Sequence, residues 1–307
     1  MPFQRIAVIG CGLIGGSFAL GLKKRGYGEE IVGCDKEEIL KQAKARGALD
    51  RGTADLVEAV EGADLILLAT PVVVILDLLP EVGKHVTAGT LVADTGSTKV
   101  RICRRAHETL PKSVAFLGGH PLAGKEVGGI ENADPELFAG AKWVVIKEAQ
   151  EAEEAQEAEE KRNAVSSASG LGMTEATREF AALVGKLGAE PVEMDAETHD
   201  WAAALVSHAP QLVSTALAGA VWDETDEDGL PLALAGPGFR AMTRLAGSPY
   251  DVWRDICLTN SENLARALER IEQRLARMRE QLRGRELAEE FEKARQTYAA
   301  LKKKEER

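Results

Sequence analysis

Between Arg5 and Lys24 the chain reads a short β-branched run, Arg5–Ile9, then Gly10-Cys11-Gly12-Leu13-Ile14-Gly15, then apolar positions at helical spacing over 17–24. A strand feeding a glycine-rich turn that opens a helix has few structural solutions. Each glycine has a task there: a tight turn, close approach of backbone to a pyrophosphate, and close helix–strand packing. The helix behind them offers unpaired N–H groups and a positive dipole end to phosphates. Asp35 follows the next strand candidate, Glu30–Cys34, and stands 20 residues after Gly15. A carboxylate at that place accepts hydrogen bonds from the adenosine ribose hydroxyls and repels a 2′-phosphate, which predicts NAD as the cofactor. Two points stay open: Asp35 also reads as a turn-capping aspartate, and the adjacent Lys36 leaves room for some NADP.

Further strand candidates lie at 64–69, 90–93, 114–117, 143–146 and Glu190–Met194, separated by helix-period segments. Alternating β and α on this spacing predicts an α/β fold, a Rossmann-type doubly wound parallel sheet, followed by an all-helical C-terminal domain. The expected domains are 1–195, binding NAD, and 196–307, helical. Residues 148–162 hold seven Glu against Lys161 and Arg162, so 148–172 reads as an acidic, flexible insertion without chemistry of its own. Leu264, Leu268, Ile271, Leu275, Met278 and Leu282 alternate spacings of four and three, a seam that wants a partner helix and loses register near Gly284.

Composition narrows the function. Asp plus Glu number 49 against 38 Lys plus Arg, a net charge of −11, so nucleic acid is not an expected partner. The four cysteines have neither CxxC nor zinc-type spacing, which predicts no metal and fits a reducing cytoplasm. The apolar run 65–76 contains Pro71 and falls short of the ~20 residues a bilayer span needs, and five glycines within 6–22 argue against a secretion signal. A soluble protein is expected.

Three strand ends carry polar residues where a doubly wound sheet binds its ligands. Thr70-Pro71 follows the third candidate strand; it contacts the dinucleotide through backbone groups or merely ends the strand. Asp94-Thr95-Gly96-Ser97-Thr98-Lys99 follows the next, and Gly118-Gly119-His120-Pro121-Leu122-Ala123-Gly124 the one after. Ser97 offers a hydroxyl that donates and accepts. His120, held in a glycine- and proline-flanked loop, is the side-chain type suited to proton transfer near neutrality.

The combination GCGLIGGS, DTGSTK, GGHPLAG, the SHAP run beginning at Ser207 and TRLA beginning at Thr243 resembles the prephenate dehydrogenases, with the related arogenate and cyclohexadienyl enzymes, from about residue 5 to 268. The GGHP segment with its upstream GS is fairly specific, whereas GxGxxG is shared by many unrelated dehydrogenases. The resemblance implies NAD-dependent oxidative decarboxylation of prephenate to 4-hydroxyphenylpyruvate in tyrosine biosynthesis. It also implies a small-molecule substrate, prephenate or arogenate, and a homodimer formed through the helical domain. By position His120 matches the histidine that draws the proton off the substrate 4-hydroxyl, and Ser97 the serine that orients that hydroxyl. Arg244 matches the arginine that holds the ring carboxylate, His208 a second histidine touching substrate, Glu126 an acid near the site mouth and Trp253 an aromatic of the pocket region. Structural readings compete for several: an ion-paired surface Arg244, a His208 hydrogen-bonded inside the helices, a solvated Glu126, a core Trp253.

Departures are visible too. Gln211 and Ala241 stand where some relatives carry His and Asp, and Lys125 where many carry Thr. No βαββαβ pattern follows residue 268, so a single activity is expected. Two other classes share parts of the pattern. Reductases of β-hydroxyacids need a lysine in the first long helix of the helical half, and 198–220 contains none. A catalytically silent NAD-binding module would bind the dinucleotide without turnover.

Overall fold

The computed structural model describes residues 3–27, 30–125, 127–147, 175–225, 229–284 and 286–305. The acidic stretch expected at 148–172 lies outside them, as does Glu126. The chain divides into two compact units, Met1–Asn260 and Ser261–Arg307.

In the first unit β1 (Arg5–Ile9), β2 (Glu30–Cys34), β3 (Arg51–Thr53), β4 (Leu65–Leu68), β5 (Leu91–Asp94) and β6 (Ala115–Leu117) form one sheet. Its order is β3-β2-β1-β4-β5-β6, and every pair is parallel. Helices α1 (Leu13–Lys24), α2 (Glu37–Ala45), α3 (Leu56–Val60), α4 (Val72–His85) and α5 (Val100–Thr109) connect the strands. Both faces of the sheet are buried: Ile6 and Val8 pack with Phe18 and Leu22 on one side, Ala7 and Ile9 with Ile75 and Leu79 on the other. That is why β4 reads as unbroken Leu-Ile-Leu-Leu instead of alternating. The order reverses between β1 and β4, and the loops at their carboxyl ends carry the glycine turn and Thr70-Pro71.

The expected parallel sheet ends sooner than its sequence pattern suggested. After β6 the chain builds a separate sheet from β7 (Gly119–Pro121), β8 (Lys142–Ile146) and β9 (Glu190–Met194), with β7 antiparallel and β9 parallel to β8. The GGHP segment is therefore strand where a loop was expected, and His120 sits opposite Val144. Glycine and proline are poor strand formers, so the local pattern hid β7. Trp143 anchors this sheet between Phe138, Phe18 and Phe180, with ring centroids 5.0, 6.2 and 6.0 Å away.

Helix α6 (Glu175–Lys186) leads into β9, and the rest of the unit is helical. Asp195 caps α7 (Ala196–Ala203) by accepting from the Thr198 N–H at 2.7 Å. A π-helical turn, Ala204–His208, joins α7 to α8 (Ala209–Asp223). The continuous run Ala196–Asp223 is long and apolar enough by length and composition to cross a membrane, more than the 65–76 run that the sequence offered. It also buries His199, Asp200, His208 and Gln211 inside the protein. Short helices α9 (Leu230–Ala233) and α10 (Pro237–Thr243), a 3-10 turn at Arg244–Gly247 and α11 (Tyr250–Thr259) follow.

The second unit is a helical hairpin of α12 (Ser261–Glu280) and α13 (Leu287–Glu305). An Arg274–Glu290 ion pair ties the two helices beside a cleft of about 550 Å³ that Met278, Phe291 and Ala294 help to line. The apolar seam of α12 runs out at the 3-10 turn Gln281–Arg283, just before Gly284, and Leu275 and Leu282 are exposed.

Candidate active site

The glycine turn has the geometry its sequence demands. Gly10 adopts φ +93°, and a Cβ there would lie 2.6 Å from the Ala69 carbonyl oxygen. A Cβ on Gly15 would sit 1.9 Å from the Gly10 carbonyl oxygen, so α1 can pack this close to β1 only without one. Gly12 differs: a Cβ there would meet no atom within 4 Å. It is the N-cap of α1 and supplies no side-chain hydrogen bond to the helix's first amides. Asp35 holds the turn from the other side. Its Oδ2 accepts from the Cys11 N–H and its Oδ1 from the Lys36 N–H, both at 2.7 Å. Across the crevice the Thr70 hydroxyl is buried without a hydrogen-bond partner, and Pro71 is the N-cap of α4. An uncapped helix N-terminus, the open side of Gly12, a carboxylate after β2 and an orphaned hydroxyl together fit a dinucleotide.

A second cluster lies at the ends of β5 and β7. His120, 9% exposed, places Nδ1 2.8 Å from His199 Nε2. His199 Nδ1 in turn lies 2.8 Å from Asp200 Oδ1. The Asp200 carboxylate also accepts from the Lys99 and Val100 N–H groups at 2.7 and 3.0 Å, thereby capping α5. Ser97 is partly buried in the same β5–α5 loop, and its neighbour Thr98 shares a 2.8 Å hydrogen bond with Thr259 of α11. Beneath this loop Lys99 is fully buried. It pairs with Asp94 and donates to the Gly119 carbonyl at 2.6 Å. Asp94 accepts from the Gly96 and Gly119 N–H groups at 2.7 and 3.2 Å. This pair fastens β7, and with it His120, to the end of β5.

Asn260 extends the network. Its Nδ2 donates to the Asp200 carbonyl at 2.7 Å and to His208 Nδ1 at 3.3 Å. The π turn explains how His208 reaches this side. Nine residues of regular helix would turn it about 180° from His199, and the extra residue in the wide turn brings it back by about 100°. His208 Nε2 is buried without a partner, and the ring meets Trp253 edge-on at 6.1 Å. One turn later Gln211 donates to the Leu245 carbonyl at 2.8 Å, which ties the turn beginning at the exposed Arg244 to α8.

Burial above all, then the nearby His199, Lys99 and His208, pushes the His120 imidazolium well below the usual 6.5. Burial also lowers His208 to about 4, against the opposing pull of Asp200. Both rings are neutral at ordinary pH. Burial lifts the Asp94 carboxyl above its usual value, and Lys99 and the two amides draw it back down.

The structure thus joins His120 and His208 through His199, Asp200 and Asn260 in one hydrogen-bonded network; Ser97 lies in the neighbouring β5–α5 loop, and Arg244 begins the turn whose Leu245 carbonyl accepts from Gln211. Sequence reasoning passed over His199, Asp200, Lys99, Asp94 and Asn260. An adjacent His-Asp pair early in α7 was the available signal. Among the described residues no group of His, Cys, Asp or Glu is arranged to hold a metal ion.

A Rossmann sheet with a glycine turn fitted to a dinucleotide, a buried neutral histidine on the neighbouring β7 and helices packed beside it belong to a nicotinamide-dependent dehydrogenase. Two family models match, the nucleotide-binding domain of prephenate dehydrogenase over 18–167 and its dimerization domain over 195–297. The chain is 36% identical over 274 residues to a prephenate dehydrogenase of Lactococcus lactis, covering 88% of this chain and 68% of that one. It is 31% identical over 261 residues to that of Bacillus subtilis, 84% of this chain and 65% of the relative. It therefore spans about two thirds of the length of these relatives. Among solved structures, prephenate dehydrogenase from A. aeolicus in complex with hydroxyphenyl propionate and NAD+ superposes with a TM-score of 0.82 at 26% identity, over 98% of this chain and 99% of that one. The chain belongs to the prephenate dehydrogenase family.

Proposed function

We propose that the chain oxidises and decarboxylates prephenate to 4-hydroxyphenylpyruvate with NAD, as a homodimer of the cytoplasm. The observation that carries this reading is the neutral, buried His120, whose Nδ1 is committed to His199. That leaves Nε2 as the nitrogen available to substrate.

The amides of Gly12 to Gly15 and the Thr70 hydroxyl would hold the NAD phosphates and neighbouring groups, and Asp35 its adenosine ribose. When bound there, NAD accepts the hydride. His120 Nε2 takes the proton from the substrate 4-hydroxyl, so the oxygen lone pair forms a C4 carbonyl as the hydride departs from C4. Ser97 orients the hydroxyl. The C–C bond to the ring carboxylate then breaks, CO2 leaves, and the electron pair aromatises the ring as the C4 oxygen regains a proton. Arg244 holds the ring carboxylate in a bidentate grip suited to a guanidinium. The unpartnered Nε2 of His208, a donor because its Nδ1 accepts from Asn260, bonds a substrate oxygen. The helical domain from 196 supplies the substrate side chains and the dimer contact. In support of the latter, Trp201, Val206 and Trp222 on the long helix run are exposed at 52, 78 and 70%. The four cysteines are free thiols, as a reducing compartment keeps them.

The test is a four-way initial-rate assay of prephenate and arogenate with NAD and NADP. NADH and CO2 released in equal amounts from prephenate support the reading. A higher kcat/KM on arogenate transfers the same chemistry to the amino substrate, and no turnover of either overturns it. Arg244→Gln is expected to raise the KM for substrate at least tenfold and spare NAD affinity.

A further inference from the structure

We infer that His199, held by Asp200, is the positioning residue that fixes which nitrogen of His120 carries the proton and that takes up charge when His120 acts as a base. The inference rests on the proposed role of His120 and extends it to residues that touch no substrate.

The direction of each hydrogen bond follows from the far end of the chain. Asp200 Oδ1 already receives the Lys99 N–H, a group that can only donate, so the carboxylate is an acceptor toward His199. His199 Nδ1 therefore donates to Asp200 across 2.8 Å. In a neutral His199 this makes Nε2 the lone-pair nitrogen, which accepts from His120 Nδ1 across 2.8 Å. His120 is left with its lone pair on Nε2, the tautomer that proton abstraction needs. When His120 gains a proton at Nε2, its Nδ1–H becomes a stronger donor to His199, and the positive charge leans toward Asp200.

Every member is held by its surroundings. His199 and Asp200 are 3% and 1% exposed. The rings of His120 and His199 meet edge-on at 5.1 Å and 74°, and the Asp200 carboxylate is pinned to the Lys99 and Val100 amides at the start of α5. The charged or titratable groups around His120 are His199 and Asp200 from α7, Lys99 from the β5–α5 loop and His208 from the π turn. Lys99 is paired with Asp94, which leaves Asp200 as the carboxylate at the end of the relay.

Two variants and two readouts test this. His199→Gln keeps an acceptor for the His120 N–H but cannot take up a proton, and His199→Phe removes the acceptor. The first readout is independent of turnover: nitrogen NMR of imidazole-labelled protein, in which each of the five histidines is assigned by replacement. His120 is expected as the Nδ1–H tautomer in the parent and in His199→Gln, and as the Nε2–H tautomer in His199→Phe. The second is steady-state kinetics. His199→Phe should lose about 100-fold in kcat with substrate KM within threefold, and its acid limb should move to lower pH as the base weakens. His199→Gln should recover at least a tenth of the parent kcat. An Nε2–H His120 in the parent, a tautomer unchanged in His199→Phe, or a loss confined to KM would overturn the inference. A parent protein that turns over neither substrate would overturn the proposed function instead, and the NMR outcome would still decide the role of His199.

Discussion

The glycine turn lies at the end of β1 and the histidine cluster beside the end of β5, yet they are built in opposite ways. Gly10 through Gly15 are consecutive, and although Ala69 and Thr70 after β4 close on this turn from afar in the chain, the turn's own spacing sets which positions must be glycine. The cluster draws His120 from β7, His199 and Asp200 from α7, His208 from the π turn, and Asn260 from beyond α11, with separations of 52 to 101 residues. A local device can be replaced in part without disturbing the rest. A cluster closed over long sequence distances is cooperative, because each buried polar group relies on the others for its hydrogen bonds. Damage in the cluster should therefore reach both stability and chemistry, whereas damage in the turn should stay with the cofactor.

The largest expected effect tests the cluster. His120→Asn removes the base and should lower kcat by about 10²–10⁴ with little change in KM. A loss in KM with kcat intact would move His120 out of the chemistry. Next comes the buried pair below it. Lys99→Met keeps the aliphatic stem but strands the Asp94 carboxylate, at a cost of about 3–5 kcal/mol, measurable by urea unfolding. Adding Asp94→Leu should return much of it, since an apolar pair of similar volume needs no partners. The single variant also removes a charge that lowers the His120 pKa, so its acid limb should rise. Unchanged stability in Lys99→Met would end the distinction between a cooperative cluster and a separable turn.

The same distinction decides what could be read from sequence. The turn, Asp35 and the strands β1, β2 and β9 were legible to the residue, because strand alternation and glycine spacing are local signals. Ser97 and His120 were legible as polar residues at strand ends, whereas His208 and Arg244 came through motif resemblance; the structure places His120 and His208 in one hydrogen-bonded network. What stayed hidden was whatever depends on distant contacts. His199 lies in an ordinary helical segment, Lys99 looks like any lysine at a helix start, and β7 is a strand only because β8 pairs with it. The π turn leaves no mark in hydrophobic period, and without it His208 would point elsewhere.

Acid sharpens the comparison further. His120 and His208 are neutral and buried, with folded pKa values below the ~6.5 of an unfolded chain. Between those values the unfolded state binds more protons than the folded one, so stability is full above about pH 6.5 and falls as pH drops toward the folded pKa. For His208, lowered to about 4, the loss should be about 2 kcal/mol between pH 7 and pH 5. His208→Gln should flatten that part of the pH–stability curve in urea titrations. A slope unchanged in this variant would place the acid sensitivity in other groups. Activity follows its own limb: because His120 titrates well below 6.5, kcat should hold as the pH falls through 6.5 and decline only further down.

The smallest effect belongs to the turn. Asp35 has two duties, holding the Cys11 and Lys36 amides and, in the proposed complex, meeting the adenosine ribose. Asp35→Asn retains an acceptor for one amide but loses the charge that repels a 2′-phosphate, with Lys36 beside it ready to attract one. The expected result is a roughly tenfold rise in the NAD KM, or about 1.4 kcal/mol, an improved NADP KM, and kcat within twofold of the parent. None of the cluster's hydrogen bonds runs through Asp35, so the acid limb set by His120 should not move. If kcat falls in step with NAD affinity, or the limb shifts, the turn and the cluster are coupled across the sheet after all, and the local device is as cooperative as the distant one.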